Sequence, residues 1–201
     1  MANFHNLLEH NSKTVTIAVA AHSARAVSFE NIKKLYEMAI EKGIAFHIHV
    51  EEQPKEIEDC MRFLGERRKS QSYKTDMSAK SQSYKTDMSA GPSDVLLENL
   101  NITKLFSGVH VTYTPVENIR EITKLGGNTV ICPCTEGYLG DGIPQVIDGQ
   151  HISYGTDCNN RIGFLEEMRW ACYSQQVSSI CPLCLQKLRK EENYANICAS
   201  Y

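Results

Sequence analysis

One imidazole–carboxylate pair and several strand-end residues stand out in the sequence because together they could serve a hydrolytic centre. In HIHVEEQ, His49 closes a short apolar run and Glu52 follows three residues later. An imidazole is a common ligand of Zn²⁺, and a carboxylate beside it can move protons for a bound water. In GVHVTY, His110 occupies the same kind of position, and in YGTDCNNR, Asp157 does so again. A carboxylate such as Asp157 can ligate a metal and accept a proton from water. His22 and Arg25 lie in HSARAV, and the Arg25 guanidinium could hold a substrate carboxylate through a bidentate pair. Taken singly, each residue has an ordinary structural role as well. His49 and His110 could be satisfied core histidines, Asp157 a helix N-cap, and Arg25 a surface ion-pair partner.

What makes the set informative is the elements that carry it. Short apolar, β-branched runs at Thr14–Ala20, Ile44–Val50, Phe106–Val111, Asn128–Cys132 and Ile152–Thr156 read as strands. Between them lie stretches with helical periodicity. Ser28 caps a helix that stops at Gly43, and Pro54 opens one that stops at Gly65. Ser93 or Asp94 caps a third, Pro115 opens a fourth that ends at Gly126-Gly127, and a last helix runs from about Asn160 to Tyr173. Strands alternating with amphipathic helices predict an α/β fold with a parallel sheet. Active sites in such sheets lie beyond the carboxyl ends of the strands. His22, His49, His110, Glu136 and Asp157 all fall at those ends. Convergence of imidazoles and carboxylates is what a hydrolytic metal site requires.

Other features bound the reading. The segment KSQSYKTDMSA at 69–79 recurs unchanged at 80–90, polar and without an apolar face, and predicts a solvated, disordered insertion. With 21 basic and 24 acidic residues the net charge is −3, which argues against a nucleic-acid partner. No apolar run approaches the ~20 residues that span a bilayer, and the N-terminus lacks a secretory pattern, so the chain reads as cytoplasmic with no membrane partner. Its eight cysteines are then thiols or ligands. Cys132-Pro-Cys134 with Cys181-Pro-Leu-Cys184 could form a four-cysteine zinc site, although paired Cys-x-x-Cys knuckles are the usual arrangement.

Five motifs in order resemble the amidohydrolase superfamily: HSARAV (22–27), HIHVEEQ with EIEDC (47–60), VHVTYTP (109–115), CPCTEGYLGDGI (132–143) and GTDCNNRIGFLEEMRW (155–170). The N-formimino-L-glutamate deiminase branch is nearest, with cytosine and guanine deaminase types beside it. The resemblance implies a (β/α)8 barrel of the metal-dependent hydrolase kind. It implies one divalent metal, Zn²⁺, bound by His49 and Asp157, with Asp157 also the general base. It makes Glu52 the proton shuttle to the departing nitrogen and His110 the group that polarises the attacked centre or water. His22 and Arg25 become substrate contacts, Arg25 facing a carboxylate. The implied chemistry is attack of activated water on an amidine carbon of a small-molecule substrate, with loss of ammonia.

The resemblance also implies departures. Tyr113 stands where the family usually has a second histidine, and Cys134 where it has threonine. The family's first-strand His-x-His has no counterpart upstream of Thr14. Aligned to the family, the chain holds strands four to eight: a lead-in at 1–13, a partial barrel at 14–176 interrupted at 69–90, and a helical tail at 177–201. A barrel of this kind needs about 250 residues, and this chain has 201. Open sheet edges predict association with a second copy or a complementing half-barrel. The reading is therefore a metal-dependent hydrolase of a non-peptide carbon–nitrogen bond, weak or inactive as this chain. The rival readings are a non-catalytic amidohydrolase-like interaction module and a purine or pyrimidine deaminase.

Overall fold

A computed structural model describes residues 9–72, 91–157 and 162–178. Five strands form one sheet: β1 (Val19–Ser23), β2 (Phe46–Val50), β3 (Phe106–His110), β4 (Asn128–Ile131) and β5 (Ile152–Tyr154). Their spatial order equals their chain order and every pairing is parallel. Successive parallel neighbours need a crossover each, and helices supply them. These are α1 (Phe29–Lys42), α2 (Pro54–Ser72) with α3 (Pro92–Asn99), α4 (Val116–Lys124) and α5 (Pro133–Leu139). A last helix, α6 (Phe164–Ser178), follows β5. The α/β class and the parallel sheet expected from the sequence are present. No helix among the described residues is long and apolar enough to cross a membrane.

Side-chain alternation along the strands sends one set to the helices and the other to the opposite face. Phe46, Ile48 and Val50 are buried on the helix side with Ile32, Tyr36 and Phe106. Tyr36 meets Phe46 and Phe106 edge-on, with centroids 5.2 Å and 5.9 Å away. His47 and His49 of β2 and His22 of β1 fall on the other face and are far less buried. His22, His47 and His49 thus share a side because the strand period is two, whereas His110 is in step with Phe106 and leaves the strand with φ 71°.

The caps at Ser28 and Gly43 are as read. The Ser28 hydroxyl accepts the Asn31 N–H at 3.4 Å, and Gly43 adopts φ 65°. Ile44 is spent on that turn, since its N–H donates to the Ala39 carbonyl, so β2 starts two residues later than expected. The first strand is displaced more, to Val19–Ser23 from the expected Thr14–Ala20. Val19 is the first residue opposite β2, paired with Phe46, so Thr14 to Ala18 have no partner strand among the described residues. Asn11 instead accepts the Ile17 N–H at 2.7 Å. Helix α2 does not stop at Gly65; a glycine inside a helix costs only about 1 kcal/mol, and Glu66 to Lys69 are strong helix formers. Helix α3 is capped by Gly91 with Pro92 in its first turn, two or three residues before the expected Ser93 or Asp94. Most of the duplicated segment, and Cys181 and Cys184, lie outside the described residues.

Tyr36 joins the core to the loop before β3. Its hydroxyl accepts the Thr103 N–H at 2.9 Å and donates to the Asn101 carbonyl at 3.2 Å. Tyr36→Phe should leave that N–H unpaired and lower unfolding free energy by about 1–3 kcal/mol, measured by urea denaturation.

Candidate functional site

Four glutamates are almost wholly buried at the carboxyl end of the sheet: Glu51, Glu56, Glu136 and Glu167. Each accepts a backbone N–H at or just before the start of a helix. Glu56 takes that of Glu52 at 3.2 Å, Glu51 that of Ser93 at 2.9 Å, Glu136 that of Cys132 at 2.8 Å and Glu167 that of Cys134 at 2.9 Å. First-turn N–H groups have no helical partner, and negative charge is favoured there. The corners that carry the site are built on these bonds.

His49 and His110 stack face to face, centroids 5.3 Å apart and planes at 25°. The His49 Nδ1–H donates to the His22 carbonyl at 2.6 Å. That carbonyl is available because the β1 register shifts between Ala21 and Ser23, which places His22 in a bulge. The His110 Nδ1 faces Oε1 of Glu136 at 3.3 Å, and its Nε2 lies 3.6 Å from Oε1 of Glu52. One ligand atom from each of His49, His110 and Asp157 lies within 4.8 Å of the other two. Two imidazole nitrogens and a carboxylate oxygen are a donor set that suits a divalent cation such as Zn²⁺. Tying each Nδ1 to an oxygen leaves Nε2 free, the arrangement metal-binding histidines adopt.

The backbone is strained where these residues sit. His110 has φ 71°, Val111 φ 49°, Asp157 φ 40° and Glu51 φ 52°. A left-handed conformation costs a non-glycine residue on the order of 1–3 kcal/mol, and for a β-branched valine it is exceptional. Val111 is held there by its N–H bond to the Val50 carbonyl, 3.1 Å.

Charge is arranged unevenly. Burial works against charging His110, but the bond to Glu136 and the charges of Glu52, Glu136 and Asp157 outweigh it and raise its pKa above the ordinary 6.5. Burial pushes the Glu56 carboxyl up to about 6, with Arg25 opposing. Arg25 itself is engaged: its Nη2 donates to Oε2 of Glu52 at 2.6 Å. The residue expected to meet a substrate carboxylate and the residue expected to shuttle a proton are therefore paired with one another. The exposed His22 ring lies 5.3 Å from that of His49, its Nδ1 2.9 Å from the Ser23 hydroxyl.

All six residues singled out in the sequence lie around one rim. Asp157 is exposed and ends the described run at 157, so its expected role as N-cap of the next helix falls on residues outside those described. Helix α5 was not anticipated, although Pro133 in its first turn and Gly140 just past its end are the usual signals. Glu136 stood out only as a strand-end acid, and its contact with His110 follows from α5. Neither Cys132 nor Cys134 forms a disulfide among the described residues.

The sequence profile of the Amidohydrolase family matches residues 3–182. Formimidoylglutamate deiminase of Pseudomonas aeruginosa is 26% identical over 166 residues, covering 81% of this chain and 31% of that protein. 5-Methylthioadenosine/S-adenosylhomocysteine deaminase of Pyrococcus furiosus is 24% identical over 179 residues, covering 86% and 37%. Among solved structures, an amidohydrolase from Brucella melitensis superposes with a TM-score of 0.69 at 27% identity, covering 88% of this chain and 34% of that one. The chain spans about a third of the length of each of these proteins.

A raised carboxylate pKa has a defined stability signature. The folded state holds the Glu56 proton more tightly than the unfolded chain, so its penalty grows as pH rises from 4.5 through about 6 and is complete above that. Glu56→Gln should therefore gain up to about 2 kcal/mol over the parent at pH 7.5 and nothing at pH 4, read by urea unfolding at both values.

Proposed function

Because this chain belongs to the Amidohydrolase family, we propose that its strand-end cluster serves hydrolysis of a carbon–nitrogen bond in a small amidine. N-formimino-L-glutamate is the substrate of choice. The observation that carries this reading is the convergence of His49, His110 and Asp157 within 4.8 Å, beside Glu52 and Arg25. His49 and Asp157 would hold a divalent metal, zinc, and His110, whose ligand atom lies within 4.8 Å of theirs, would serve as a third ligand. Three protein ligands is the number a catalytic zinc keeps. A metal there supplies Lewis acidity and lowers the pKa of a water to about 7.

The chain's own groups do the rest. Asp157 accepts a proton from the attacking water. Glu52, whose Oε1 faces His110 and whose Oε2 faces Arg25, carries a proton to the departing nitrogen, which leaves as ammonia. Arg25 keeps further N–H donors beyond the one bound to Glu52, and these meet the substrate carboxylate. His22 contacts the substrate from the rim of β1. Among the described residues no helix could cross a membrane, in keeping with a cytoplasmic enzyme of a small molecule.

A purine substrate is the second reading, favoured by the similarity to 5-methylthioadenosine/S-adenosylhomocysteine deaminase. Arg25 separates the two. Arg25→Ala should raise KM for the carboxylated amidine at least about tenfold; an unchanged KM would point to a neutral heterocycle.

Calorimetric titration with zinc, followed by ammonia release from N-formimino-L-glutamate, tests the proposal. One zinc per chain is expected, bound about tenfold or more weakly in Asp157→Asn. Glu52→Gln should keep the metal and lower kcat by about 10²–10⁴. Absence of zinc binding would overturn the metal assignment. Equal turnover in Glu52→Gln and its parent would overturn the shuttle.

A further inference from the structure

We propose that Glu136 is a positioning residue for His110: its Oε1 accepts the Nδ1–H of the ring and so turns Nε2 toward the candidate metal position, beside Glu52. Three observations converge on this. The Glu136 side chain is 1% exposed and reaches His110, likewise 1% exposed, at 3.3 Å. The same oxygen already accepts the Cys132 N–H at 2.8 Å, so it is an acceptor by construction. The other oxygen, Oε2, has no hydrogen-bond partner among the described residues, so a carboxyl proton there would not face the ring.

The consequence is a fixed tautomer. A neutral imidazole has one donor nitrogen and one acceptor, and the partner of one decides the role of the other. With Nδ1–H committed to Glu136, Nε2 is the acceptor. His49 reaches the same state through a backbone carbonyl, its Nδ1–H held by the His22 oxygen at 2.6 Å. Two adjacent rings are thus set alike by two different acceptors, one main-chain and one side-chain. Only the second can be removed by substitution.

The atoms also permit a competing arrangement, since His110, Cys132 and Glu136 offer ligand atoms within 4.8 Å of one another. It requires a Cys132 thiolate. In the metal-free protein burial pushes that thiol far up, with the charges of Glu136, Asp157 and Glu167 adding to the effect, so only a bound metal could hold it as the thiolate. The Glu136 oxygen that would ligate is also spent on the Cys132 N–H. Glu136 therefore orients His110 without binding the metal.

The zinc arm of the test rests on the metal reading above; the tautomer arm does not. In the metal-free chain, long-range ¹H–¹⁵N NMR of His110, assigned with His110→Gln, should show the proton on Nδ1. Glu136→Gln retains an acceptor oxygen and should keep that tautomer. Glu136→Leu removes it and should move the proton to Nε2. Zinc affinity should fall about 10–100-fold in Glu136→Leu and stay within about threefold of the parent in Glu136→Gln. A parent ring protonated on Nε2 would overturn the proposal, and that measurement needs no variant to fold. So would equal zinc affinity in Glu136→Leu and the parent, or a thiolate-to-cobalt charge-transfer band in the Co²⁺ form. If the parent binds no zinc, the metal reading fails while the ring protonation still decides the role of Glu136.

Discussion

Burying a carboxylate is costly unless donors meet it, and this structure buries four glutamates at one end of one sheet. Every one of them is met by a main-chain N–H at or just before the start of a helix. That pairing solves two problems together. The first turns of α2, α3 and α5 gain acceptors for donors the helix cannot satisfy. The loops that display His49, Glu52 and His110 are pinned to the helices beneath them. Among the described residues each of these carboxylates also has one oxygen without a hydrogen-bond partner: Oε2 of Glu51 and Glu136, Oε1 of Glu56 and Glu167. The rim thus stands on a layer of buried acids, and burial holds Glu51, Glu56 and Glu136 above the usual carboxylate pKa.

The electrostatics follow from that base. His110 is drawn toward the charged form despite its burial, because carboxylates face it on both edges. Arg25 is the counter-charge on the solvent side, held by Glu52. A bound cation would complete the balance. The strained backbone at His110 and Val111 is a local cost, compensated by strand pairing on both sides of β3.

Much of this was legible in the residues. The alternation of apolar strands with capped helices gave the parallel sheet, and strand-end placement brought His22, Arg25, His49, Glu52, His110 and Asp157 to one rim. What escaped depended on partners distant in the chain. The start of β1 is set by where β2 begins, and Thr14 to Ala18 look as strand-like as Val19 to Ser23. The pairing of Arg25 with Glu52 joins residues 27 positions apart and has no local signature. Glu51 and Glu167 resemble ordinary surface acids, because their burial is decided by Ser93 and Cys134 on other elements. Helix α5 is seven residues long, too short for a periodic signal.

The bond between Glu51 and Ser93 has one more effect. The chain leaves the described fold after α2 and returns at Gly91, and the return point is fixed by contacts outside the intervening segment. Gly91 sits so close to the Glu51 carboxylate that a Cβ there would lie 2.5 Å from Oε1. Asn118 of α4 bonds both the Ser93 hydroxyl and Asp94, locking the same corner from the far side. Joining two points that are already fixed costs free energy only logarithmically in the length of the connection. A copying event that lengthens this stretch therefore leaves the rim unchanged. An eleven-residue segment stands twice at that place in the chain, and the geometry of His49 and His110 is insulated from how many copies there are.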